Sequence, residues 1–338
     1  MSDQGYRPPF YLGIDLGGTS IKSGVVDGDW RPLPKPAASV DTPTSRVKSI
    51  HDEALDALQR AADHAIEASG LAWSDIEAVG VGSPGTMDIP AGLLLEPPNL
   101  PGWEHFPIRE VVADRLNKPT TLQNDANAAA YAEYRAGVGR GTRSLVMFTL
   151  GTGIGGGIIE DGRIISGRHS HGAECGHIII QMEDARRCPC GGLGHLEAYA
   201  SATALVKRAH EALDRGEESA LRARAAERHL TARIIDEAAE AGDALATRLM
   251  RETAHYLAVG AVTLIHTIDP DIVVFGGGMT AAGPSFLDAI RAGIRAMAFP
   301  VPAARVRVEY AELGPDAGFI GAAGCARQER EATITVGG

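Results

Sequence analysis

Cysteine is scarce in this chain: there are four in 338 residues, and two of them stand almost adjacent as Cys188-Pro189-Cys190. Two thiols one residue apart close a disulfide with difficulty but suit a shared metal ion, so no disulfide framework is expected and a reducing, cytoplasmic compartment is. Basic residues are also in deficit, since 32 Lys and Arg face 43 Asp and Glu and leave a net charge of −11. Phosphate backbones are gripped by clustered Lys and Arg, so the balance argues against a nucleic-acid partner. No apolar run approaches the ~20 residues that span a bilayer. The opening MSDQGYRPPF carries neither a basic nor an apolar leader pattern, so neither membrane insertion nor secretion is expected. Low-complexity segments and the GxxxxGK[ST] loop of P-loop enzymes are missing too. What remains is an ordinary globular composition, 44% hydrophobic and 22% charged, in a chain long enough for two lobes with separate cores.

Strand and helix patterns alternate along the sequence. FYLGID and IKSGVV flank the turn LGGTS within residues 10–26, a Pro-rich loop runs from Arg31 to Pro43, and Ser45 caps a helical pattern that ends at Ser69. IEAVGVG (76–82) reads as a buried strand, followed by a loop rich in Pro and Gly up to Pro107, a helix over 108–117 and a strand over 120–124. The second half starts the same way: strand SLVMFTL (144–150), a Gly turn GTGIGGG (151–157) and a returning strand GIIEDGRII (157–165). Overlaying the two hairpins matches Leu16 with Leu150, Gly17 with Gly151, Val25 with Ile159 and Gly28 with Gly162, which suggests an internal duplication. Segment 231–267 is mostly helical, DIVVFGGG (271–278) is a strand with a Gly turn, and the chain ends on a helix (285–297), a strand (305–310) and a helix (317–329). Such alternation predicts an α/β fold.

Gly-rich turns between strands expose backbone N–H groups with no Cβ in the way and can close on a phosphate. In the first, Asp15 precedes Gly17-Gly18-Thr19; its carboxylate suits a hydrated Mg²⁺, Thr19 a phosphate, and Lys22 either a phosphate charge or a carboxylate. A pair of tight hairpins with no ligand is the plainer reading, and two turns in register weigh against it. Gly151-x-Gly153-x-x-Gly156 matches a dinucleotide fingerprint in form, but that motif must open a helix, whereas this one runs into a β-hairpin.

The DLGGT hairpin, the TLGTGIGG hairpin and the late GGG turn together resemble the sugar kinase, heat-shock 70 and actin class, and more narrowly the ROK family, over residues 11–326. The resemblance implies a two-lobed actin-like ATPase fold with duplicated β-hairpin phosphate loops. The lobes expected are 1–124 plus 312–338 and 125–311, hinged near Asn124-Asp125 and around 312–318. Gly151, Thr152, Gly153, Gly276, Gly277 and Gly278 would join Asp15, Gly17, Gly18, Thr19 and Lys22 at the phosphates of ATP. GSPGTMD with Gly85, PPNLPGW with Asn99, NDANAAA with Asn124 and Asp125, AECGH with Glu174 and His177, and HLEAYAS with Glu197 fall where the family binds a hexose. Carboxylates and amides hold sugar hydroxyls by paired hydrogen bonds. Asp125 takes the part of the general base, although an Asp before AlaAsnAla also makes a good helix N-cap. The family's structural Zn²⁺ uses one His and three Cys; here CPCGGLGH puts His195 in the third Cys position, beside His177, Cys188 and Cys190. Metal-free closure of that loop, or a ligand from His169, His171 or Cys175, is the alternative; Cys175 and Cys325 otherwise read as packed thiols.

Function follows as an ATP-dependent hexose kinase, with glucose the expected acceptor because GSPGTMD, PNLPGW and LEAYASATAL look most like glucokinases. Fructose, mannose, an N-acetylhexosamine or allose as acceptor, and polyphosphate as donor, are the alternatives. A sugar-responsive repressor is disfavoured by the acidic charge and by the short stretch ahead of DLGGT. By resemblance, a homodimer or homotetramer is expected.

Overall fold

In a computed structural model the described residues are 5–33, 38–42, 50–97, 102–227 and 229–336. The strands are β1 (Phe10–Leu16), β2 (Ser20–Val26), β3 (Ala38–Asp41), β4 (Ile76–Ser83), β5 (Thr86–Asp88), β6 (Leu93–Glu96), β7 (Thr120–Asn124), β8 (Ser144–Leu150), β9 (Ile154–Glu160), β10 (Arg163–Ile164), β11 (Ile272–Gly276) and β12 (Arg307–Tyr310). The helices are α1 (Ile50–Ser69), α2 (Ile108–Leu116), α3 (Asp125–Arg135), α4 (Glu197–Ala200), α5 (Ala202–Asp214), α6 (Leu221–Glu227), α7 (Ala232–Glu240), α8 (Ala244–Ile268), α9 (Gly283–Met297), α10 (Pro300–Arg305) and α11 (Ala317–Val336). None of them is long and apolar enough to cross a membrane.

Two sheets share one design. Their orders are β3-β2-β1-β4-β7 and β10-β9-β8-β11-β12, so each runs from an edge strand through a hairpin to two further strands. The hairpin pair β1/β2 is antiparallel, while β1/β4, β4/β7, β8/β11 and β11/β12 are parallel. The likeness between the two sequence hairpins thus extends over five strands.

Contacts divide the chain into one unit of residues 1–141, 157–173 and 312–338 and another of 142–156 and 174–311. The border expected after residue 124 differs from this, because α3 packs against α11 and stays in the first unit. A Cβ on Gly321 would lie 1.7 Å from the Ala128 carbonyl oxygen, so the two helices touch backbone to backbone.

In the first unit, Leu12, Ile14, Val79 and Val81 bury against α1 and α2, with Trp103 and Phe106 packed edge to face at 4.7 Å. The opposite face of the sheet takes α11, whose Phe319, Ile320 and Ala323 meet Tyr11, Val26 and Ala78. That helix lies unusually close, since a Cβ on Gly80 would sit 1.8 Å from the Ala322 carbonyl oxygen and one on Gly13 as close to that of Phe319. In the second unit Phe148 and Phe275, register partners on β8 and β11, stack at 5.3 Å. Asp243 caps α8 by accepting from the Ala246 amide at 2.9 Å.

Three local expectations change. The Pro-rich loop contains β3, which pairs with β2 through Ile21↔Val40 and Lys22↔Ser39. The loop before Pro107 contains the β5–β6 hairpin. The second Gly turn is shorter than 151–157: Gly155, Gly156 and Gly157 belong to β9, and a Cβ on Gly157 would meet the Ala130 methyl at 2.4 Å. Gly157 thus serves packing within a strand. The cap expected at Ser45 lies outside the described residues.

Gly80→Ala must displace α11, and we expect a loss of roughly 1–3 kcal/mol, the usual range for overpacking. Gly278→Ala, whose Cβ would meet nothing within 4 Å, serves as the control. Urea midpoints of both variants check this; equal midpoints would show that α11 does not rest on Gly80.

Candidate functional site

In the first unit, β1 delivers Asp15 to the mouth of a turn closed by the Gly17 amide donating to the Ser20 carbonyl at 3.0 Å. Thr42 braces this turn, its hydroxyl donating to the Gly17 carbonyl at 2.7 Å and its amide to the Thr19 carbonyl at 2.9 Å. Sequence reading passed over Thr42 because it sits in the Pro-rich stretch. With both carbonyls held, the amides of Gly18 and Thr19 make no hydrogen bond among the described residues and Thr19 stands exposed. Such a pair of amides is an anion cradle.

Lys22 is committed elsewhere. Its ammonium donates to Asp316 Oδ1 at 2.9 Å and to the Pro315 carbonyl at 3.0 Å, tying β2 to the chain entering α11. Of its two expected roles, pairing with a carboxylate is the one the structure displays. Asp15 lies against the first turn of α11, where a Cβ on Gly318 would meet its Oδ2 at 2.3 Å. Burial and then the charge of Asp125 push the Asp15 carboxyl up to about 6, with Lys22 pulling the other way.

The N-cap of α3 is Asn124, whose Oδ1 accepts from the amides of Ala126 and Asn127 at 3.0 and 3.1 Å. Asp125 is therefore the first residue of the helix, not its cap. One of its oxygens accepts from the Ala126 amide at 2.8 Å. Burial raises its pKa, and the backbone amides of Ala126 and of Asp125 itself lower it in part. Gly85 turns the chain after β4 with φ 93°, and Asn99 lies outside the described residues.

In the second unit, the turn after β8 closes with the Gly151 amide donating to the Gly153 carbonyl at 3.0 Å, while the Gly151 carbonyl accepts from Ala202 at the start of α5. The turn after β11 presses on the same strand. Gly277 has φ 89°, and a Cβ there would lie 2.5 Å from the Leu150 carbonyl oxygen. Only glycine allows that approach, which brings Gly276-Gly277-Gly278 beside Gly151-Thr152-Gly153. Behind them opens a cavity of about 570 Å³. Gly151, Thr152 and Gly278 stand on its lining, together with Leu205, Asp236 and Met279. That volume falls in the range of small-molecule sites. The walls from α5, α7 and α8 went unnoticed in the sequence because amphipathic helices carry no motif.

A knuckle of irregular backbone holds the Cys/His set. The Cys188 amide donates to the Gly192 carbonyl at 2.8 Å and the Gly191 amide returns to the Cys188 carbonyl at 2.9 Å, while Ile179 bridges to His195. One ligand atom each from His177, Cys188, Cys190 and His195 lies within 4.8 Å of all the others. Cys190 Sγ is 3.2 Å from His195 Nδ1, and Cys188 Sγ is 3.8 Å from His177 Nδ1. Burial, with the charge of Glu197 adding to it, pushes the Cys188 thiol up to about 12, a state that a bound cation would reverse. His169, His171 and Cys175 stand outside the group; Cys175 and Cys325 are buried free thiols.

Glu197 joins this knuckle to the Gly turn. Its Oε2 accepts from the Ile154 amide at 2.8 Å and its Oε1 from Cys188 Sγ at 3.4 Å. His177 Nε2, turned from the cluster, lies 4.0 Å from Glu174 Oε2.

Twin five-stranded sheets with glycine hairpins define the actin-like ATPase class, the fold of sugar kinases. Residues 11–329 match the model of the ROK family, and the chain belongs to that family. A glucokinase of Halalkalibacterium halodurans is 33% identical over 331 residues, covering 95% of this chain and 96% of that protein. The structure of a ROK family glucokinase from Streptomyces griseus in complex with glucose and AMPPNP is 36% identical, with a TM-score of 0.76 and coverage of 94% and 99%. An N-acetylmannosamine kinase of Citrobacter koseri is 30% identical over 92% of this chain and 97% of its own length.

Because Asp15 is harder to ionise in the folded chain, its charge destabilises the fold fully above pH 6, partly between 6 and 3.8, and not at all below 3.8. Asp15→Asn should therefore stabilise the metal-free protein at pH 7 by on the order of 2–3 kcal/mol, a gain that fades as the pH falls to 4. Melting curves in a chelator across that range test the sign; a destabilised variant at pH 7 would refute it.

Proposed function

We propose that this chain is an ATP-dependent hexose kinase that converts glucose to glucose 6-phosphate, with Asp125 as general base. The observation that carries this reading is the division of labour at the start of α3. Asn124 caps the helix, so Asp125 is spared that task and keeps one oxygen clear of the Ala126 amide. A desolvated carboxylate with a raised pKa is a fitting acceptor for the proton of an attacking hydroxyl.

Within this reading, the second unit's cavity takes the nucleoside, and the Gly151–Gly153 and Gly276–Gly278 turns take its phosphates. Gly17, Gly18 and Thr19 offer a further phosphate cradle. Asp15, buried and facing the charge of Asp125, fits a hydrated Mg²⁺, whose charge would relieve both carboxylates. Asn124, Asp125 and Gly85 in the first unit and Glu174, His177 and Glu197 in the second are assigned to the hexose, together with Asn99. Glucose as acceptor is supported by the relatives named glucokinase. A cytoplasmic location and a homodimer or homotetramer are proposed with it, on family grounds.

The test is ADP release from Mg-ATP with a panel of hexoses that includes N-acetylmannosamine, and with polyphosphate as an alternative donor. We expect glucose to be preferred and Asp125→Asn to fold normally while losing roughly 10²-fold or more in kcat. Near-native turnover in that variant would remove Asp125 from the chemistry, and a preference for another sugar would redraw the acceptor.

His177, Cys188, Cys190 and His195 are proposed to hold a structural Zn²⁺, and the spread of their ligand atoms fits a tetrahedral ion. A neutral imidazole where relatives carry a thiolate adds about one positive charge to the site. Glu197 is the route by which metal loss would reach the Gly turn. Cys188→Ser should lower zinc content measured by mass spectrometry, reduce the melting temperature and raise KM for the sugar more than for ATP. Full activity in zinc-free protein would exclude this.

A further inference from the structure

Two carboxylates in the second unit's cavity have no task yet, Asp236 and the exposed Glu240. Asp236, half-buried on α7, lines both the main cavity and a second one of about 220 Å³ that shares Asp236, Glu240 and Met250 with it. Its neighbour Glu237 is paired, to Arg233 at 2.9 Å and to Arg224 at 3.6 Å. Asp236 has no hydrogen bond or ion pair among the described residues. Burial and then the charges of Glu240 and Glu237 hold its carboxyl above the usual range, and no cation offsets them. An ionised carboxylate only accepts hydrogen bonds, and a partly buried one without a donor is costly. Beside the charged side chains of α7, the cavity wall carries Leu205, Met250, Met279 and Ala282, an apolar surface that a base can cover. An occupant that displaces water from the Asp236 carboxylate must then bring the donor itself.

Resting on the reading that a nucleoside triphosphate fills this cavity, we propose that Asp236 selects the base: it accepts a hydrogen bond from the 6-amino group of adenine. Inosine and guanine present a carbonyl oxygen there and would set acceptor against acceptor. Unsubstituted purine would leave the carboxylate without a donor. Selection of this kind comes from an unpaired polar group in the wrong complex, which discriminates far more strongly than a difference in size.

The experiment measures kcat/KM for ATP, purine riboside triphosphate, ITP and GTP, with the full chain and its best hexose. Wild type, Asp236→Asn, Asp236→Ala and Glu240→Gln are compared. Wild type should favour ATP over ITP by ~10²-fold or more, as expected where a buried hydrogen-bonding group loses its partner. Asp236→Asn, whose amide can donate to a 6-oxo group, should bring that ratio within about tenfold, and Glu240→Gln should leave it alone. An unchanged ratio in both Asp236 variants, or a ratio that collapses only in Glu240→Gln, overturns the assignment. So does a wild-type preference for GTP, which would put the carboxylate on the N1 and 2-amino edge of guanine. Equilibrium binding of the same nucleotides yields the ratio without turnover. Binding with the expected ratio but no phosphorylation of any sugar would thus sustain Asp236 while counting against the kinase reading, and no nucleotide binding at all would overturn both.

Discussion

The contact on which the second unit's site depends is backbone against backbone, where Gly277 meets Leu150. Hydrogen bonding in the sheet sets β8 and β11 side by side, but it does not determine how the turns beyond their ends meet. That is decided by the space a side chain would need, and at Gly277 there is none, with the Leu150 carbonyl 2.5 Å from where a Cβ would be. The first unit uses the same device at another scale. Gly13 and Gly80 let α11 settle onto β1 and β4, and the start of that helix then confines Asp15. In both units, missing side chains fix the positions of the turn amides and of the Asp15 carboxylate.

Glu197 shows how a loop with little regular structure can serve a site. A four-residue helix such as α4 has slight stability of its own. Its first residue is held at both ends of the carboxylate, by Ile154 in the strand after the Gly turn and by Cys188 in the knuckle. The knuckle is tied by backbone bonds such as Ile180 to Gly194 and Gly194 to Arg186, and the proposed metal would add a centre where its four nitrogen and sulfur ligands converge. A group assigned to sugar binding is thereby also a structural tie. Substituting it would confound the two roles, whereas Glu174, with its carboxylate farther from the cluster, separates them better.

The motifs were legible in the sequence because their chemistry is local. DLGGT, GTG and GGG announce turns by glycine alone, and the spacing of His177, Cys188, Cys190 and His195 converges as read. What depended on long-range packing was not legible. β3 hides in a Pro-rich stretch because an edge strand needs little propensity of its own once Ile21 and Lys22 offer a ladder. The cap of α3, which the sequence offered at Asp125, falls to Asn124 one residue earlier, a choice that only geometry makes. Glycines 155–157 looked like turn because the helix that crowds Gly157 is remote in sequence. The second unit's cavity left no trace, being made by helices whose lining residues, apolar and charged alike, form no motif.

The arrangement also bears on how an acidic protein can handle a polyanion. With a net charge of −11, the chain would repel a triphosphate at long range. Lys22, on the strand that follows the proposed phosphate cradle, is spent on Asp316, and the arginine on the cavity wall, Arg233, is engaged with Glu237. In the proposed reading attraction is therefore short-ranged, from oriented amides at the glycine turns and from a divalent cation that Asp15 and Asp125 would draw. Both are fixed dipoles or charges that need no side chain to reorganise as the phosphoryl group moves, which is the condition for stabilising charge that spreads in a transition state. An acidic surface with amide-lined turns thus admits the nucleotide as its metal complex and gives little purchase to a free polyanion, and this weighs for Mg-ATP over polyphosphate as the donor.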